Sequence, residues 1–132
     1  MATKVFTING KNYKQNCLPD LNDMLGEATK NRFAYNAMKK KYESIIIRSI
    51  RRDLRGWKAT KVCQLDITWG EKRKGKMRDH DNIIAARKFI NDALTESGTI
   101  KDDSPKYLQY GRNRVIYTDE PFVRVEIVEI EE

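Results

Sequence analysis

The chain has 132 residues, of which 39% are hydrophobic and 34% are charged, a size and composition typical of one globular domain that buries its own core. No apolar run approaches the roughly 20 residues that a membrane-spanning helix needs, and the N-terminus lacks a signal-peptide pattern, so we expect a cytoplasmic protein with no membrane partner. The net charge of +7 indicates a polyanionic partner, the alternative being a well-solvated surface.

The charge is unevenly distributed along the chain. Residues 1–78 hold 19 Lys and Arg against 7 Asp and Glu, a net of +12, whereas residues 79–132 hold 7 against 12, a net of −5. A basic half next to an acidic half favours a polyanion as the partner of the first half. The two cysteines, Cys17 and Cys63, form no Cys-x-x-Cys pair, so we expect free thiols and no structural zinc.

The first half of the chain predicts a strand, a helical stretch and a second strand. Residues 5–8 are a short apolar, β-prone run. From about residue 22 to residue 55, apolar side chains recur at steps of three and four, which predicts helix, with a possible break at Gly26 or at Lys30-Asn31. Residues 61–69 alternate between apolar and polar, as a half-buried strand does.

The second half predicts one helix and two further strands. A basic loop over residues 70–78 precedes a helix from about residue 81 to residue 97. Residues 107–117 and 121–129 are β-prone. The order β-α-β-α-β-β predicts a single small α/β domain of the α+β kind over the whole chain, with a mixed sheet packed against helices.

Two carboxylates directly follow the basic loop, in the stretch Arg78-Asp79-His80-Asp81-Asn82. On an extended chain, Asp79 and Asp81 fall on the same side and both reach one metal ion. Carboxylate oxygens suit Mg²⁺, which takes few protein ligands and keeps several waters. The structural alternative is an ordinary turn or helix cap, where Asp-x-Asp is common.

Lys88 lies on the predicted second helix. At about 100° per residue it shares a stripe with Asp81, where its charge would stabilise the transition state at a phosphate. The alternative is a surface ion pair with Asp92, one turn later. The opposite stripe should face the core and consists of Ile83, Ala86, Ile90 and Leu94. After the helix, Asp102-Asp103 would either add a third carboxylate or be solvated turn residues.

In this order, the basic run, Asp79-His80-Asp81-Asn82, a helix with Lys88 and Asp92-Ala93-Leu94, and Asp102-Asp103 resemble the RusA-type Holliday junction resolvases. The loop over residues 18–23 and the basic helix after it are similar to the phage-borne branch of that family. The resemblance therefore covers nearly the whole chain.

The resemblance implies a homodimer that binds four-way DNA junctions and cuts two strands symmetrically, using Mg²⁺ or Mn²⁺ and no small-molecule cofactor, in recombination, repair or phage DNA processing. The metal ligands would be Asp79, Asp81 and Asp103, and the essential lysine Lys88. This chain has a few more residues between Asn82 and Lys88 than the family pattern: counting forward from Asn82 gives Ala85 instead, whereas counting back from Asp92-Ala93-Leu94 gives Lys88.

Basic side chains around the loop are expected to contact the DNA backbone. They are Lys72, Arg73, Lys74, Lys76 and Arg78. Lys39-Lys40-Lys41 either does the same or forms a solvated helix face. Two other classes of function stay open at this point: a branched-DNA-binding protein that does not cut, and a basic protein–protein adaptor, which leaves the ordered acids unexplained.

Overall fold

A computed structural model describes residues 3–73 and 77–130, and it confirms the predicted α+β class. A mixed four-stranded sheet packs against helices, in the element order β1 (Thr3–Asn9), α1 (Leu21–Lys30), α2 (Arg32–Leu54), β2 (Cys63–Lys72), α3 (His80–Ile84), α4 (Arg87–Glu96), β3 (Leu108–Thr118) and β4 (Phe122–Glu129). Among these helices, none is long and apolar enough to cross a membrane.

The strands are arranged in the spatial order β1-β4-β2-β3. Strand β4 is antiparallel to both β1 and β2, whereas β3 is parallel to β2. Strands β3 and β4 are consecutive in the chain but lie on either side of β2. A parallel pair needs a crossover connection, and α3 and α4 supply it between β2 and β3. Strand β3 is consequently an edge strand, beside the helices of the crossover.

The core lies between the helices and one face of the sheet. In β2 the predicted alternation is confirmed, since Cys63, Leu65, Ile67 and Trp69 are buried. The buried stripe of α2 is also as predicted, with Tyr42, Ile46 and Ile50 among its members. Both cysteines are buried free thiols, and burial raises the pKa of Cys17 to about 12 and that of Cys63 to about 11.

The first helical stretch breaks at Asn31, one of the two positions that the sequence indicated. The backbone N–H of Asn31 ends α1 by donating to the Glu27 carbonyl, and its side-chain oxygen starts α2 by accepting from the Ala34 N–H at 2.8 Å. One residue therefore satisfies orphan groups of two helix ends.

The prediction of one continuous second helix is wrong, because α3 and α4 are separated at Ala85 and Ala86. Across this join the backbone bonds to the third residue back: Ala86 N–H to Ile83 and Lys88 N–H to Ala85, both at 3.2 Å. A tighter turn of about three residues changes the phase of the helix. The predicted core stripe still holds, since Ile83, Ala86, Ile90 and Leu94 are all buried.

Gly70 tests the packing of the sheet. A Cβ at Gly70 would clash with the ring of Phe122, its neighbour on β4, so we expect Gly70→Ala to lower the free energy of unfolding by about 1–3 kcal/mol. Gly26→Ala is the matched control, because nothing lies within 4 Å of its Cβ position in α1; there we expect a gain of about 0.5–1 kcal/mol. Urea unfolding measures both, and equal effects would contradict the packing described.

Candidate nucleic-acid interface

A buried ion pair joins Glu71, near the end of β2, to Arg78, just before α3. The Arg78 guanidinium donates from Nε and Nη2 to the two carboxylate oxygens of Glu71, both at 2.7 Å, and the side chains are only 13% and 6% exposed. Nη1 donates to the Leu18 carbonyl at 3.0 Å and lies 3.9 Å from a carboxylate oxygen of Asp23. Burial alone would lower the pKa of Arg78, but the hydrogen bonds and charge of Glu71 outweigh it and raise that pKa.

Arg78, which we predicted to contact DNA, instead points into the protein. Burying a guanidinium is costly unless it is paired and hydrogen-bonded, and Glu71 and Leu18 meet that requirement. We therefore reassign Arg78 from a DNA contact to an anchor of the loop ends. Residues 71 and 78 flank the basic loop, so their ion pair fixes where the loop leaves and rejoins the fold.

The start of the loop is also held by its neighbours. The backbone N–H of Lys72 donates to the Asn16 side chain at 2.9 Å, and that of Arg73 donates to the Thr118 carbonyl at 2.8 Å. The Lys72 ammonium donates to the carbonyl of Asp119, in the connection between β3 and β4. The predicted contacts Lys74 and Lys76 lie outside the described residues.

Arg73 is the predicted DNA contact that stays at the surface. Its guanidinium lies 3.9 Å from the Asp119 carboxylate, with the two side chains 62% and 86% exposed. An exposed pair of this kind contributes less than about 1 kcal/mol, so Asp119 holds the Arg73 side chain only weakly.

Asp79 and Asp81 are both exposed, at the start of α3. Asp79 is the N-cap residue, with an extended backbone and no capping hydrogen bond from its side chain, and Asp81 lies in the first helical turn. The extended-chain geometry that we assumed for this pair is therefore wrong beyond Asp79. The Asp79 carboxylate is therefore not used as a helix cap.

A cavity of about 460 Å³ opens beside Asp79, lined also by Asn82 and by the N-terminal end of α1. There Asp20 and Asp23 form a reciprocal capping box, and the Tyr13 hydroxyl donates to Asp23 at 2.9 Å. Burial and the Asp23 carboxylate raise the pKa of Tyr13 to about 12. Burial acts to raise the pKa of Asp23 as well, but its hydrogen bonds outweigh burial and lower it. Asp20 and Asp23 therefore stabilise the N-terminal end of α1.

Lys88 is exposed near the start of α4, and it makes no ion pair with any residue in the described ranges. The alternative pairing with Asp92 is not formed, because Asp92 lies 3.6 Å from the ammonium of Lys39, which is also 3.8 Å from Glu43. Lys39, in the triple-lysine run, therefore holds α2 to α4, whereas Lys40 and Lys41 are exposed.

Asp103 does not join the other two predicted metal ligands. In residues 3–73 and 77–130, no three His, Cys, Asp or Glu side chains are grouped closely enough to hold a metal ion. Asp103 is exposed, and its N–H donates to the Asp102 carboxylate at 2.7 Å. Mg²⁺ is commonly bound through one or two carboxylates plus waters and substrate phosphates. The carboxylate oxygens of Asp79 and Asp81 are the kind of donor that Mg²⁺ takes. The role of Asp103 as a third ligand stays a prediction.

The sequence reasoning missed a second group of basic and aromatic residues, around β3. The Arg87 guanidinium carbon lies 3.7 Å from the centre of the Tyr110 ring, and Arg112 and Arg114 are exposed on the same edge strand. The signal was an aromatic residue with interleaved arginines, Tyr-Gly-Arg-Asn-Arg. These residues lie in the half of the chain whose net charge is negative, so the overall charge pattern does not indicate them.

No protein-family model matches the chain, and no curated protein is significantly similar to it in sequence. Function is therefore inferred from the residues and the geometry described above.

The buried ion pair gives a test of the loop anchor. We expect Glu71→Gln to lower the free energy of unfolding by roughly 3–5 kcal/mol, because it leaves a buried guanidinium without its counter-charge. Lys30→Ala is the control: it breaks an exposed pair with Glu27 and should cost less than about 1 kcal/mol. Urea unfolding measures both, and a Glu71→Gln protein as stable as the control would contradict the anchor.

Proposed function

We propose that the chain is a Mg²⁺-dependent endonuclease that cuts branched DNA, of the kind its sequence resembles, with four-way junctions as substrate. One observation carries the proposal. Asp79 and Asp81 are exposed and uncommitted directly after a basic loop whose ends are anchored, and the next helix presents an exposed lysine, Lys88. Metal-dependent phosphodiester cleavage uses carboxylates to hold the metal ion and cations to stabilise the charge on the phosphate.

Each group has a definite part in the proposal. Asp79 and Asp81 hold the metal ion, which when bound supplies a Lewis acid for the phosphate and lowers the pKa of a water. The Lys88 ammonium stabilises the charge that develops on the scissile phosphate. Arg73 and the basic loop bind the flanking backbone. Asp103 is proposed as a third ligand, although it does not lie with the other two in this structure.

Arg78 acts through its neighbour. It directly precedes Asp79, and its guanidinium is fixed by Glu71 and the Leu18 carbonyl. These contacts therefore fix the backbone that leads into α3. Catalytic carboxylates must be placed within about 0.5 Å of the productive position, and we assign Arg78 as the positioning residue for Asp79.

The proposal includes a homodimer in the cytoplasm of a bacterial host, with a phage or prophage source. A four-way junction presents two equivalent strands, and a twofold-symmetric dimer presents two equivalent sites. Paired symmetric cuts follow from that match.

A branched-DNA-binding protein that does not cut is the second candidate. It is favoured by the absence, in the part of the chain that the structure describes, of three grouped metal ligands. Such a protein needs the basic loop and the arginines of β3 but not Asp79 or Asp81. The two candidates therefore differ in what the acids do.

Substitution of Asp81 and Lys88 separates them. We expect Asp81→Asn to abolish cutting of a synthetic four-way junction while binding is kept or strengthened, since a negative charge beside the phosphates is removed. Lys88→Ala should lower the cleavage rate about 10²–10³-fold. Glu96→Gln, an exposed acid at the other end of α4, is the control and should cut at the wild-type rate. A Lys88→Ala protein that cuts as fast as wild type would disprove the lysine assignment.

Salt dependence tests the polyanion partner. Junction affinity should fall steeply with salt, because phosphate contacts release counterions, and Arg73→Ala should reduce the slope of log affinity against log salt by about 1. Lys30→Ala, at the far end of α1 from the cavity, should leave the slope unchanged. Fluorescence anisotropy at several salt concentrations measures both, and a flat response in the wild-type protein would contradict a DNA partner.

A further inference from the structure

We propose that Tyr110 is a stacking platform for an unpaired base of the bound DNA. The inference rests on the proposed function and adds a binding site to it, on the edge strand β3 and next to the helix that carries Lys88. The site consists of the Tyr110 ring, the Arg87 guanidinium on its face and the Asn91 amide at its hydroxyl.

The Tyr110 ring is exposed on one side and covered on the other. The residue is 55% exposed, although it is a large aromatic. The Arg87 guanidinium lies over its ring at 3.7 Å from the centre, whereas every other cation–ring contact among the described residues is at least 5.3 Å long. A ring held between a guanidinium and solvent has one free face, and that face is apolar and flat.

The hydroxyl end of the ring is fixed by α4. The Asn91 side-chain amide donates to the Tyr110 hydroxyl at 3.0 Å, and Asn91 itself is 4% exposed. The other amide atom of Asn91 is buried without a hydrogen-bond partner in the described ranges, although a buried polar atom normally has one. The Asn91 side chain therefore orients the Tyr110 ring even though its own oxygen is left without a hydrogen bond to the described residues. A ring that is already oriented loses little entropy when a ligand binds.

A β-bulge sets the position of Tyr110 on the edge strand. Leu65 pairs with Tyr110 and Ile67 with Asn113, so Asp66 alone faces two residues, Gly111 and Arg112. The Asp66 carboxylate accepts from the Arg112 N–H at 2.8 Å and fills the space that a Cβ on Gly111 would need. Bulges of this kind redirect side chains at sheet edges. Here the bulge leaves Tyr110 on the helix side and places the exposed Arg112 just beyond it.

The chemistry of this site fits a nucleobase. Bases stack on exposed aromatic rings, with arginine contributing through its own contact with the ring, and the exposed Arg112 lies two residues further along β3. In a duplex the bases stack on each other and offer no free face, so the ligand is an unpaired base. Arg87 and Asn91, the two residues that contact the Tyr110 ring, belong to α4, the helix that also carries Lys88, so an unpaired base at a branch point would bind on the element of the proposed cleavage site.

The test compares two DNA probes and two tyrosines. One probe is a duplex with a single-stranded arm that carries 2-aminopurine, and the other is a fully paired duplex of the same length. We expect Tyr110→Leu to bind the arm probe about 5- to 150-fold more weakly and the paired duplex unchanged. Tyr110→Phe should lose much less affinity for the arm probe, because it keeps the stacking ring and gives up only the hydrogen bond to Asn91. Tyr117→Leu is the matched control, because Tyr117 is also exposed on β3, and it should bind both probes normally.

Fluorescence of the wild-type complex tests the inference without any variant. Stacking on Tyr110 should quench the 2-aminopurine signal when the arm probe binds, and binding without quenching would overturn the platform. Wild-type affinity of Tyr110→Leu for the arm probe would overturn it as well, as would an equal loss on both probes. A wild-type protein that binds neither probe would overturn the platform too, whereas the proposed function is overturned separately, by a wild-type protein that neither binds nor cuts a four-way junction.

Discussion

The buried pair between Glu71 and Arg78 is the interaction on which the arrangement of the site depends. A guanidinium that is only 13% exposed needs a matching carboxylate and further hydrogen bonds, and here the bidentate contact with Glu71 and the Leu18 carbonyl fix its position. The end of β2, the start of α3 and the segment before α1 thereby meet at one point. Asp79 is the next residue after Arg78, so this contact also fixes the position of the Asp79 backbone.

The charged side chains named above fall into two groups: those that connect elements of the fold and those that are exposed to a ligand. One group connects elements of the fold: the buried pair of Glu71 with Arg78 at the loop, and the partly exposed pair of Lys39 with Asp92 between α2 and α4. The other group is exposed and available to a ligand, including Asp79, Asp81, Lys88 and Arg73. In the proposed nuclease the exposed group binds the metal ion and the DNA, and the connecting group fixes the elements that carry it.

Local patterns predicted much of the fold because they reflect burial on one face. The alternation of β2 and the buried stripe of α2 are confirmed, and Asn31 was among the expected breaks. The join at Ala85 and Ala86 carries no glycine or proline and was missed, since a tightened turn there depends on packing against the core. The parallel pairing of β3 with β2 depends on contacts distant in sequence and was not predicted either.

The site was predicted less well than the fold, for a physical reason. A sequence shows that Arg78 is charged but not that Glu71 lies within 2.7 Å of it, so an anchor was read as a DNA contact. Asp79, Asp81 and Lys88 are exposed, but their common site stays a prediction, since the shared stripe of Asp81 and Lys88 assumed one continuous helix and Asp103 is not grouped with the two acids. The sequence does not show that Tyr110 contacts Arg87 and Asn91, because those two residues belong to α4 and Tyr110 belongs to β3.

Cleavage of a synthetic four-way junction by the wild-type protein, with a linear duplex of the same sequence beside it and strand-by-strand mapping of the products, tests the central claim most directly. The proposed function predicts paired, symmetric nicks in the junction that require Mg²⁺ or Mn²⁺ and are absent from the linear duplex. Tight binding to the junction with no cut in either metal would contradict it, and would leave a structure-specific DNA-binding protein.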